Sequence, residues 1–215
     1  MRKIKKRQIA IVVVPIVLFI LLAIAIQSEF ISGFENWTYS EIVEHMSPTL
    51  TRVLKIITHL GDPISVIVIC LILLALPHFR KTYSLLISIN VILQVFINYS
   101  LKLLFARERP DILQLVTEKS YSFPSGHAMI NMGLYLMLSI CIYKTVKSKK
   151  LKYVFICILM IFPIIIGLTR VYLGVHYITD ILAGWSLGIA ITFVVYKIFD
   201  KKNVLEEKKD IKMDS

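Results

Sequence analysis

The chain has 215 residues, 57% of them hydrophobic and 18% charged, with 25 lysines and arginines against 14 aspartates and glutamates. Apolar content on this scale, gathered into long runs, excludes a soluble domain and implies one multi-spanning membrane domain. The net charge of +11 does not imply nucleic acid, because the basic residues cluster between apolar runs and form no stripe with interleaved aromatics.

A basic tail, residues 1–8, carries Arg2, Lys3, Lys5, Lys6 and Arg7 and precedes an apolar run over 9–26. A basic start and an apolar middle resemble a signal peptide, but the run is long and Gln27-Ser28-Glu29 offers no small-x-small cleavage site. It reads as a retained first span with its amino end in the cytoplasm, kinked at Pro15. Residues 34–60 differ in kind. Val43, Met46, Leu50, Val53, Leu54 and Ile57 recur at helical spacing with Glu41, Glu44, Arg52 and Lys55 among them. This amphipathic stretch is too polar to span, is broken by Pro48, and reads as a passive helix along the outer interface with Trp37 and Tyr39 at headgroup level.

The second span, about 60–76, has a short apolar core, and the third covers 83–105. Asn90, Gln94, Asn98 and Lys102 follow one another at intervals of four, so they form one stripe that points into a helix bundle. A loop over 106–124 leads to the fourth span, 126–143, and five lysines lie between Lys144 and Lys152. The fifth span, 153–168, contains Pro163; the sixth, 175–199, has Gly184 and Gly188 spaced for close helix packing, and a charged tail, 200–215, follows. Cys70, Cys141 and Cys157 all fall in apolar runs and read as small buried hydrophobes rather than a disulfide framework or metal cluster. Six spans with both termini cytoplasmic put 18 of the 25 lysines and arginines inside and 7 outside, which satisfies the positive-inside rule. The loop after Lys102 and the segment around His176 then face the extracytoplasmic side.

Three clusters share that face: Lys102 with Arg109-Pro110; Pro124-Ser125-Gly126-His127 at a helix start; and Arg170, His176 and Asp180. His176 and Asp180 are four apart, so a helix starting near Val175 would put both on one face, where the carboxylate fixes the imidazole tautomer. Together the clusters offer three fixed cations, a helix amino terminus and two imidazoles, a set suited to a phosphate ester. Phosphoryl transfer needs in-line positioning and neutralisation of three equatorial oxygens. Lys102, Arg109 and Arg170 would neutralise charge, Ser125 and Gly126 would add a hydroxyl and backbone N–H groups, and the two imidazoles would divide attack and proton transfer. A metal site built from His127, His176 and Asp180 is the competing reading, opposed by repulsion from three nearby cations. Arg107 reads as a solvated surface charge, and His45, His59 and His78 as interfacial residues.

Lys-x6-Arg-Pro, Pro-Ser-Gly-His and Arg-x5-His-x3-Asp, in this order, resemble the three-part signature of the type 2 phosphatidic acid phosphatase (PAP2) superfamily, in particular its bacterial phosphatidylglycerophosphatase B-like membrane lipid phosphatases. The one departure is Thr169, where the family usually has serine before the third-motif arginine. The resemblance implies an all-α fold, a six-transmembrane-helix bundle of the PAP2/haloperoxidase-like type with an interfacial amphipathic segment after the first span. It also implies that His176 is the nucleophile, Asp180 orients it, and His127 protonates the leaving group and then activates water. Lys102, Arg109, Ser125, Gly126 and Arg170 would bind the phosphate, with no metal and no cofactor. The expected reaction is hydrolysis of a lipid phosphate (phosphatidylglycerophosphate, phosphatidic acid or undecaprenyl diphosphate) in the cell membrane. The rival readings are a transporter or channel lined by the Asn90–Gln94–Asn98 stripe, and a catalytically silent binder of lipid phosphates. Haloperoxidase chemistry belongs to soluble relatives and fits a membrane chain poorly.

Overall fold

The computed structural model describes residues 2–76, 83–111 and 113–213, with side chains described between 9 and 200. His78, the loop around it and the side chains of both charged tails lie outside the described residues. The described residues form eight helices and no strand: α1 (Arg2–Gln27), α2 (Ser32–Glu44), α3 (Pro48–His59), α4 (Pro63–Ala75), α5 (Ser84–Phe105), α6 (Gly126–Thr145), α7 (Lys149–Tyr172) and α8 (Ile178–Met213). Five contain a stretch long and apolar enough to cross a membrane, and α3 with α4, bent by 45°, makes a sixth when taken as one broken span. This is the all-helical membrane bundle expected from the sequence.

The short second span has a physical explanation. With 13 residues, α4 extends only about 20 Å at 1.5 Å per residue, well short of a hydrocarbon core of about 30 Å. Leu60-Gly61-Asp62 separates α3 from α4, and this break reaches the site. The stretch over 34–60 divides at Pro48, which opens α3 behind the N-cap Ser47. It is not passive toward the rest of the bundle. Trp37 is exposed, but Tyr39 is buried and its hydroxyl donates to the Leu113 carbonyl at 2.9 Å. Glu35 of α2 and Thr58 of α3 are buried as well.

Helix α6 lies at the centre, against α5, α7 and α8. A Cβ at Gly184 would stand 2.8 Å from the Ser125 carbonyl oxygen, and one at Gly188 would stand 2.7 Å from that of Met129. Only glycine lets α8 approach α6 this closely. The polar stripe of α5 completes the contact: Asn90 Nδ2 donates to the Gly133 carbonyl at 2.9 Å and Gln94 Nε2 to the Gly188 carbonyl at 3.1 Å. Asn98 Nδ2 donates to the Pro124 carbonyl at 3.1 Å, which anchors the loop in front of α6. Phe123, fully buried, is held in the same place by Phe19 of α1 and Phe105 of α5, with ring centroids 5.5 and 4.9 Å away.

Candidate active site

His176 sits in the turn between α7 and α8, two residues before α8 begins, so the helix expected near Val175 starts later. The dyad forms all the same. Asp180, in the first turn of α8, accepts the backbone N–H of Tyr177 at 3.0 Å, and its Oδ2 lies 3.3 Å from His176 Nδ1. A first-turn carboxylate that reaches back to an orphan N–H is a helix-capping arrangement, and here it also fixes the imidazole. Ser122 Oγ donates to Asp180 Oδ2 at 2.5 Å and lies 3.2 Å from His176 Nδ1. The backbone N–H of Ser125 donates to the Asp180 carbonyl at 3.1 Å, tying the second motif to the third.

Arg107 is not the solvated charge the sequence suggested. Its Nη1 donates to Asp180 Oδ1 at 2.6 Å, its Nη2 to Glu35 Oε2 at 2.6 Å, and its guanidinium stacks 4.1 Å from the Tyr177 ring centroid. Burial opposes the charge on Arg107, but Asp180 and Glu35 outweigh it and raise its pKa. Thr179 Oγ1, which hydrogen-bonds Glu35 and accepts from Arg107, completes this buried cluster behind the dyad.

In front of the dyad, Arg109 Nη1 donates to the Val175 carbonyl at 2.7 Å and stands 3.3 Å from His176 Nε2. Lys102 Nζ donates to the carbonyls of Tyr121 and Ser122. Arg170 donates through Nη1 to Thr58 Oγ1 at 2.8 Å and through Nη2 to Glu118, while its buried Nε has no partner among the described residues. Ser125 is the N-cap of α6 and its hydroxyl accepts the Ala128 N–H at 3.4 Å. His127 Nε2 pairs with Asp62 Oδ1 at 2.9 Å. Thr169 bonds the Ile166 carbonyl of its own helix at 2.7 Å, so its hydroxyl is not turned to the site.

Lys102, Arg109, Gly126, His127 and His176 line one cavity of about 450 Å³, together with Asp62, Glu118 and Ser120. Asp180, Ser125 and Arg170 stand behind that lining, and Arg170 is screened by Glu118. The lower wall is apolar, built from Val66, Ile67, Val91, Val95 and Ile130. Ile67 and Val95 are exposed on the outside of the bundle, so the wall runs out between α4 and α5.

Burial strips water from the His176 imidazolium and pushes its pKa down to about 3; Arg109 and Lys102 push the same way, against the pull of Asp180. The ring is therefore neutral, with Nδ1–H toward Asp180 and Ser122 and the Nε2 lone pair toward the cavity. A neutral imidazole held beside fixed cations has the chemistry to attack an electrophilic centre that carries negative charge. Among the described residues no group of three His, Cys, Asp or Glu side chains is placed to hold a metal ion.

Glu35, Asp62, Glu118 and Ser122 join the site without a signal in the sequence that points to their partners. Asp62 before Pro63 carries a helix-start signature, but nothing local identifies His127 as its partner. Glu35, Glu118 and Ser122 carry no periodic or motif signal, and their partners lie 52 or more residues away along the chain.

Residues 82–204 match the PAP2 superfamily. The chain is 36% identical over 190 residues to phosphatidylglycerophosphatase B of Bacillus subtilis (strain 168), covering 86% of this chain and 92% of that protein. It is 28% identical to an undecaprenyl-diphosphatase of Sulfolobus acidocaldarius, covering 85% and 88%. The crystal structure of a transmembrane PAP2-type phosphatidylglycerolphosphate phosphatase from Bacillus subtilis superimposes with a TM-score of 0.83 at 34% identity, over 90% of this chain and 97% of that one. Aquifex aeolicus LpxE superimposes with a TM-score of 0.62 at 25% identity, over 74% and 93%. Motifs, fold and sequence similarity agree, and this chain belongs to the PAP2 superfamily.

Proposed function

We propose that this lipid phosphatase hydrolyses a membrane lipid phosphate without a metal, through a phosphohistidine on His176. The observation that carries the reading is the His176–Asp180 pair, buried at one end of a cavity that Lys102 and Arg109 also line. The phosphate lies among Lys102, Arg109 and Arg170 and the first N–H groups of α6. His176 Nε2 forms a bond to phosphorus as the bond to the lipid oxygen breaks, and that oxygen takes a proton from His127. Water then attacks phosphorus, His127 takes its proton, and the P–N bond breaks to release inorganic phosphate and free His176. Asp180 stabilises the charge that His176 gains in the first step.

The apolar wall that opens between α4 and α5 lets the lipid chain stay in the bilayer while the headgroup reaches the cations. The candidate substrates are phosphatidylglycerophosphate, phosphatidic acid and undecaprenyl diphosphate. The 36% identity to a phosphatidylglycerophosphatase supports the first of them. The site faces the extracytoplasmic side with both termini cytoplasmic, a reading supported by the lysine and arginine bias. The test is phosphate release from these three lipids by the purified protein in detergent micelles containing chelator. The wild type is expected to turn over, and His176→Ala to be inactive yet folded; retained turnover in that variant would refute the mechanism.

A further inference from the structure

Asp62 occupies the N-cap of α4, where an aspartate ordinarily accepts a backbone N–H of its own helix. Here its side chain makes no capping hydrogen bond. It turns away, placing Oδ1 2.9 Å from His127 Nε2 and Oδ2 2.7 Å from His59 Nδ1. The turn that carries it is built for this approach. Asn131, one helical turn beyond His127, donates to the carbonyls of both Gly61 and His127, at 3.0 and 2.9 Å. A Cβ at Gly61 would stand 2.5 Å from Ile166 Cγ2 and 3.2 Å from His127 Cδ2, so only glycine lets the turn come this near.

The charges around His127 leave Asp62 a distinct place. Asp180 is engaged by Arg107, Glu118 by Arg170, and Glu35 by Arg107. Asp62 pairs with histidines alone, His59 and His127. Among the described residues His127 Nδ1 has no hydrogen-bond partner. We propose that Asp62 is the positioning residue of the acid–base histidine: it holds Nε2–H of His127, so that Nδ1 is the nitrogen that exchanges protons with substrate and water. Its negative charge stabilises the imidazolium, against Arg170, just where that ring must carry a proton to the departing oxygen. Nδ1–H passes its proton to the lipid oxygen as the P–O bond breaks, and Nδ1 regains one from the water that attacks phosphorus. The inference rests on the mechanism proposed above, in which His127 is the acid.

A capping role and a catalytic one separate in Asp62→Asn, because asparagine caps a helix as well as aspartate does but carries no charge. The measurement is the single-turnover rate of ester cleavage in micelles, with phosphatidic acid, whose alkoxide needs a proton, and with p-nitrophenyl phosphate, whose phenolate leaves without one. Asp62→Asn is expected to slow phosphatidic acid cleavage about 10–100-fold, part of the usual contribution of an acid–base group. It should slow the nitrophenyl ester less than about threefold on the same ground. His127→Ala should show the same selectivity, and Asp62→Glu should recover part of the loss. If Asp62→Asn does not fold, Asp62→Ser, which also caps, replaces it. Equal slowing of both substrates, or no slowing beside a slowed His127→Ala, overturns the role of Asp62 and leaves the mechanism standing. An unaffected His127→Ala overturns the mechanism, and this inference with it.

Discussion

Glu118 hydrogen-bonds Nη2 of Arg170 through one carboxylate oxygen, and the other lies 3.9 Å from Nη2 of Arg109. A carboxylate thus stands between two of the three cations proposed to hold phosphate. On that proposal an arriving phosphate displaces the carboxylate or shares the guanidinium groups with it. Removing the charge relieves that competition, so Glu118→Gln is expected to bind inorganic phosphate or orthovanadate more tightly, by about tenfold or ~1.4 kcal/mol. The inhibition constants against turnover measure this, and weaker inhibition would place Glu118 among the groups that help to hold the anion.

Arg107 bridges Glu35 and Asp180, both almost wholly buried. Arg107→Ala would leave two buried carboxylates without their cation, and breaking such a pair costs about 3–5 kcal/mol. A large drop in the unfolding temperature in detergent is expected, with a loss of turnover from the disordered dyad. Arg107→Ala with unchanged melting and activity would return Arg107 to the solvated role read from the sequence.

The depressed pKa of His176 sets a direction for acid stability. In the unfolded chain the imidazole titrates near 6.5, and in the folded protein near 3. Between these values the unfolded chain binds a proton that the folded one refuses, so this group makes stability fall as pH drops from 6.5 toward 3 and contributes no slope above that window. Thermal unfolding of the wild type and His176→Asn from pH 7 to 4 should show a steeper acid decline in the wild type. Parallel declines would contradict the buried, neutral ring.

The α5 stripe separates a phosphatase from a transporter. Asn90 and Gln94 are fully buried and bonded to carbonyls of α6 and α8, so they hold helices together rather than line a path. Asn90→Ala is expected to lower stability by about 1 kcal/mol, with turnover per folded molecule unchanged. Loss of turnover without loss of stability would revive the transporter reading.

Orientation has a direct test at Gln114, exposed in the loop before α6. A cysteine there should react with a membrane-impermeant thiol reagent in intact cells; labelling only after lysis would place the site on the cytoplasmic side.

The sequence by itself determined the membrane bundle, because a long apolar run in lipid can satisfy its backbone only as a helix. It also determined the stripe from Asn90 to Lys102 and the His176–Asp180 pair, since both depend on spacing along a single stretch of chain. What only the tertiary structure decided is which charges face which. Glu35 reaches Arg107 across 72 residues, Asp62 reaches His127 across 65 and Glu118 reaches Arg170 across 52. These pairs obey no period, because they are set by the meeting of a loop with the ends of distant helices. The requirement that buried charge find a partner makes such pairs necessary, and the packing of α2, α3 and the 106–124 loop over the site selects the partner.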